Sequence, residues 1–227
     1  MKFIARALCL MLLLIGASSK LSANSIPITM NNGGSNVMGG VYVGPYNLTL
    51  TINSKNVAVK LVCDDFNSEV FNNEKWLVKT STFPSLQNVK WTGQTTKYAE
   101  VGWLVLQMNL PANKTNPTTV GDIQWAVWDI FAPGVSNSNP YGTLSALDKT
   151  NVNNWLSLAQ ANYSTGNYSS LVIYTPVPNS QIPSSYGTPQ EYVGTGTPVA
   201  PTPEPSSLLL FGTGVAALAR WRRQIFS

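Results

Sequence analysis

The chain has 227 residues, a formal net charge of +4, two cysteines and no histidine. The missing histidine excludes Ser-His-Asp and Cys-His catalysis and every His-ligated metal site. All four arginines, Arg6, Arg220, Arg222 and Arg223, lie at the two ends. The basic balance therefore belongs to terminal segments and gives no reason to expect nucleic-acid binding.

The first residues read MKFIARALCLMLLLIGASSKLSANS. Lys2 and Arg6 precede an apolar run from Ala7 to Ala17, followed by small residues, the pattern of a secretory signal peptide over residues 1–23. Cys9 lies inside that run, so Cys63 is the one cysteine expected to survive export. Residues 24–175 are enough for one globular domain with its own core.

Within that domain, Val41–Ile52 and Val57–Phe66 read as strands joined by Asn53–Asn56, and Lys75–Thr82 as a third. Helices are predicted over Thr95–Leu110, Thr118–Phe131, with Thr118 or Thr119 as the N-cap, and Val152–Tyr163. Ser169–Val177 returns as a strand. Strands, a block of helices and a strand predict an α+β fold: a β-sheet or small β-sandwich with a helical insertion. Residues 176–202 are rich in Pro, Ser, Thr and Gly and read as a flexible stalk.

The chain closes with Pro203-Glu204-Pro205, an apolar stretch over residues 206–219, and then Arg220, Arg222 and Arg223. As a helix the apolar stretch rises about 21 Å, short of a ~30 Å hydrocarbon core, and the arginines would hold its end on the cytoplasmic side. This order resembles the PEP-CTERM sorting signal of Gram-negative bacteria that make extracellular polysaccharide. The resemblance implies a membrane protease of the exosortase type as partner, and transient passage through the inner membrane on a short transmembrane helix. The destination it implies is the cell surface or the extracellular matrix.

Two residues of the domain are out of place. On the strand reading, Val57, Val59, Leu61 and Cys63 share a face, so Cys63 points inward and, taken alone, is a small buried hydrophobe. Gln124 has Val120, Val127, Trp128 and Phe131 as its neighbours at helical spacing. An amide on such an apolar face must find partners or cost a few kcal/mol. The two explain each other if the Cys63 sulfur attacks the Gln124 side-chain carbonyl and expels ammonia, leaving an internal thioester.

Val62-Cys63 and Ile123-Gln124-Trp125-Ala126-Val127-Trp128 also resemble the motifs of the thioester domains of Gram-positive surface adhesins. In place of the Thr and the aromatic that those domains often carry, this chain has Ile123 and Val62. The resemblance implies that Cys63 and Gln124 form the bond, on a β-rich body with helical insertions, for covalent adhesion to a cell-surface or polysaccharide ligand. Trp128 and Trp103 are then candidate walls of a dry pocket. Asp65, on the Cys63 face, is placed to accept or deliver protons, while Asp64 points away. Such a bond reacts once, so no turnover enzyme is expected, and Asp64, Asp65 and Glu69 lack the spacing of a calcium loop, so neither metal nor cofactor is. The other reading is a non-catalytic structural or carbohydrate-binding component of the polysaccharide matrix. Cys63 would then be a packed free thiol, and exposed aromatics such as Tyr42, Tyr46 and Tyr141 would stack on sugars.

Overall fold

A computed structural model of the protein describes residues 25–83, 85–184 and 187–196. The expected signal peptide, Pro203-Glu204-Pro205, the apolar stretch 206–219 and the terminal arginines lie outside the described residues. The strands are β1 (Ile26–Asn32), β2 (Val37–Met38), β3 (Val41–Tyr42), β4 (Tyr46–Ile52), β5 (Lys55–Cys63), β6 (Lys75–Thr82), β7 (Leu171–Pro176) and β8 (Tyr192–Thr195). Between β6 and β7 run the helices α1 (Thr95–Met108), α2 (Pro111–Lys114), α3 (Pro117–Phe131), α4 (Asn139–Gly142) and α5 (Ala146–Asn162).

Six strands close into an antiparallel barrel in the order β1-β4-β5-β8-β7-β6, and β2 and β3 form a separate two-stranded ribbon. This overturns the expected open sheet or sandwich. Closure comes from two strands that the periodicity reading passed over. β1 pairs with both β4 and β6, and β8 bridges β5 and β7. β8 lies inside the segment expected as a stalk; it is four residues long, and its Tyr192 and Val193 are fully buried. Among the described residues no helix is long and apolar enough to cross a membrane.

Alternation explains the barrel interior. Ile26, Ile28 and Met30 of β1 and Tyr46, Leu48 and Leu50 of β4 are buried, with partly or fully exposed residues between them. Inside, Tyr192 stands edge-on to Tyr46 at 5.7 Å between ring centroids and stacks on Trp76 at 6.3 Å. The β4–β5 hairpin turns on two residues rather than four: Asn53 and Ser54 both take positive φ, the geometry that matches strand twist.

Val62, Leu171, Ile173 and Val193 alternate with the interior residues yet are buried, and α3 lies against β5 and α1 against β8 on that side. α3 lies against α1, α5 and the end of β5. It starts at Pro117, which needs no hydrogen-bonding amide in the first turn, and the Asn116 side chain accepts from the Thr118 and Thr119 amides. The cap is therefore Asn116 and not either threonine. From Val120 to Trp128 every α3 residue is buried, including Asp122 and Gln124, as expected of a helix enclosed on all sides.

Candidate functional site

The register places Cys63, the last residue of β5, opposite Tyr192 and, two residues back, Leu61 opposite Tyr46. Cys63 thus shares the interior face and is fully buried. Gln124, projecting from α3, meets it at the barrel rim. Gln124 Nε2 donates to the Cys63 carbonyl oxygen at 2.6 Å, and Gln124 Oε1 accepts from the Gly44 amide at 3.2 Å. The two residues that stood out in the sequence, 61 positions apart, are direct neighbours.

Gly44 explains why the chain breaks between β3 and β4 where one strand was expected. A Cβ at this position would lie 2.6 Å from Gln124 Oε1, so only glycine lets the backbone come close enough to bind the amide oxygen. The Cys63 sulfur accepts from the Asp65 amide at 3.3 Å and donates to the Asp65 carbonyl at 3.4 Å. Burial, and then the charges of Asp65 and Asp64, push the thiol well above its ordinary range; the Trp128 indole N–H and the Asp65 backbone oppose this. At neutral pH the sulfur carries its proton.

Two tryptophans were expected as pocket walls, and the structure places Trp128 in an aromatic cluster. It is buried, packed edge-on against Trp125 at 5.0 Å and Phe66 at 5.2 Å. Trp103 is not brought to this cluster: it is half-buried on α1, with Trp155 of α5 at 6.2 Å. Asp65 is buried, and its Oδ2 is in contact with Lys90 Nζ at 2.5 Å. Asp64, expected to point away from the Cys63 face, is fully buried. The outward side at this end of β5 is covered, and Val62 on the same side is buried too.

Sequence reasoning missed the group that receives Asp64. Glu191, fully buried just before β8, accepts from the Tyr98 hydroxyl at 2.6 Å, the Lys90 amide at 2.9 Å and the Thr175 hydroxyl. The Asp64 amide donates to the Glu191 carbonyl at 3.3 Å. Burial, and then the Glu191 and Asp65 charges, raise the Asp64 pKa well above its ordinary value. Glu191 is also raised by burial, against the pull of its hydroxyl and amide donors. One signal was available: Glu191 is the only charged residue between Lys149 and Glu204. Two of the three tyrosines expected as exposed sugar platforms, Tyr46 and Tyr141, are buried, whereas Tyr42 is exposed. Among the described residues no cluster of three or more His, Cys, Asp or Glu side chains could hold a metal ion.

Residues 201–224 match the PEP-CTERM protein-sorting motif, a span that includes Pro203, Glu204, Pro205, Arg220, Arg222 and Arg223. The tail is a PEP-CTERM sorting signal. The chain is thus an exported protein that passes the membrane for sorting and is processed by an exosortase, a membrane protease. The match is confined to the tail, and no curated protein and no solved structure matches the chain.

Proposed function

We propose that the barrel of this PEP-CTERM protein carries an internal thioester between Cys63 and Gln124, through which the exported protein attaches covalently to a surface or matrix partner. The observation that supports this is the docking of the Gln124 amide on the residue that bears the sulfur, nitrogen on the Cys63 carbonyl and oxygen on the Gly44 amide. In the forming step the sulfur attacks Gln124 Cδ and the Cδ–Nε2 bond breaks. The thiol proton leaves with the nitrogen as ammonia. The Gly44 N–H, already on Oε1, is aimed where negative charge develops. In the attachment step an amine or hydroxyl of the partner takes the acyl group, and Cys63 recovers its proton from the nucleophile.

The surroundings favour survival of such a bond. Cys63 and Gln124 are fully buried, and Trp128, Trp125 and Phe66 pack on one another nearby, the dry setting that a readily hydrolysed group needs. A second reading, a structural matrix protein with Cys63 as a packed thiol, is favoured by the same two hydrogen bonds, because they satisfy the amide without covalent chemistry. Treatment of the exported protein with a biotin-linked primary amine distinguishes the two. The thioester reading predicts biotin on Gln124 in the wild type and none in Cys63→Ala. Absence of label, with one titratable thiol per unfolded chain, would leave the matrix reading in place.

A further inference from the structure

Lys90 and Asp65 are in direct contact beside the Cys63–Gln124 site. Lys90 Nζ lies 2.5 Å from Asp65 Oδ2 and 3.1 Å from Ser68 Oγ, over the Trp91 ring at 5.2 Å from its centroid. Asp65 is 1% exposed, and its other oxygen, Oδ1, is buried without a hydrogen-bond partner. A buried carboxylate with one oxygen satisfied and one bare is an expensive way to hold a charge. A neutral amide carbonyl in the same place costs far less to leave unpaired. Both residues also adjoin a buried acid pair. Asp64 precedes Asp65 in the chain, and Glu191 Oε2 accepts the backbone N–H of Lys90 at 2.9 Å.

We infer that Lys90 and Asp65 condense to an intramolecular isopeptide bond. The amine nitrogen attacks Asp65 Cγ, the Cγ–Oδ2 bond breaks, and Oδ2 leaves as water with two of the three ammonium protons. Starting from ammonium and carboxylate, the products are one amide and one water, so no outside oxidant, reductant or activating group is needed. Two of the ammonium protons pass from the nitrogen to Oδ2, the leaving oxygen with which Lys90 is already in contact. In dilute solution hydrolysis wins this equilibrium. Two groups fixed in contact react with an effective concentration on the order of 10⁵ M or more, which reverses it. The bond ties the segment just after Cys63 to the loop before α1, so that a load on an attached partner meets a covalent brace beside the attachment point.

The test is a comparison of the full chain, recovered after export, with its Lys90→Arg variant, which keeps the ion pair but has no primary amine to condense. The wild type is expected to lack the mass of one water relative to its sequence, and Lys90→Arg to lack none. A tryptic digest of the wild type is expected to contain a branched peptide joining Asp65 to Lys90, with no cleavage after Lys90. Cys63→Ala removes any ammonia deficit and retains the water deficit, so failure of the thioester reading is separable from failure of this one. Linear peptides with cleavage after Lys90 and an unmodified Asp65 would overturn the proposal. The wild-type digest alone decides it where the variant does not accumulate.

Discussion

The two halves of β5 carry the same kind of sequence and live in different surroundings. From Lys55 to Lys60 the strand is exposed apart from half-buried Val59, whereas Leu61, Val62 and Cys63 are buried. β4 pairs with β5 from Lys55 to Leu61, β8 takes over at Val62 and Cys63, and α3 reaches that end. Alternation sets which way each side chain points along the entire strand. Whether that direction leads to solvent or to a dry site is decided by elements far away in the chain. The chemistry of the molecule gathers where β8 and the helix arrive together.

The difference between the two ends can be broken by substitution. Trp128→Ala removes a wall beside Cys63 and should destabilise the fold by about 3–5 kcal/mol, read from urea melts, while admitting water to the thioester so that a free Cys63 thiol appears in the folded protein. Gly44→Ala places a methyl group against the Gln124 amide oxygen. We expect a loss of about 1–3 kcal/mol and, more tellingly, loss of amine incorporation at Gln124. A variant that melts lower but still takes up amine would show that the Gly44 contact is structural only.

Asp122 extends the comparison to α3. It is buried, with Asn151 Nδ2 donating to its Oδ2 at 3.0 Å, and burial pushes its pKa up to about 6. The folded state thus holds this proton more tightly than the unfolded chain does. The stability it contributes is fully present below the ordinary carboxylate range and is lost as pH rises toward about 6. Thermal melts of Asp122→Asn should lack that part of the decline, and a variant curve parallel to the wild type across this window would contradict the assignment. The smallest effect belongs to the exposed half of β5. Val57→Thr, at a position 42% exposed, should change stability by no more than about 0.5 kcal/mol.

The legible and illegible parts of the molecule divide along the same line. Cys63 could be placed inward from Val57, Val59 and Leu61, and Gln124 could be singled out from its apolar neighbours, because both inferences need only local periodicity. Barrel closure could not be read that way. β1 contains Pro27, and β8 is a four-residue run with Gly194 in it, flanked by Pro, Thr and Gly, so neither has the length or composition of a strand signal. The burial of Asp64 was not legible, because alternation gives the direction of a side chain and not what covers that side. Trp103 was assigned to the pocket on residue type alone, and it stands on a different helix with a different aromatic partner. Glu191 went unnoticed because its surroundings looked like a linker, although a lone charge in such a long uncharged segment is itself unusual.

The central claim is the bond between Cys63 and Gln124, and the mass of the exported protein tests it most directly. Wild type and Cys63→Ala are measured intact, with termini assigned from digests, before and after methylamine. The account predicts that the wild type alone lacks the mass of one ammonia, and that methylamine adds its full mass at Gln124 and frees one thiol. Equal deficits in the two proteins, with a titratable Cys63 in the untreated wild type, would contradict it.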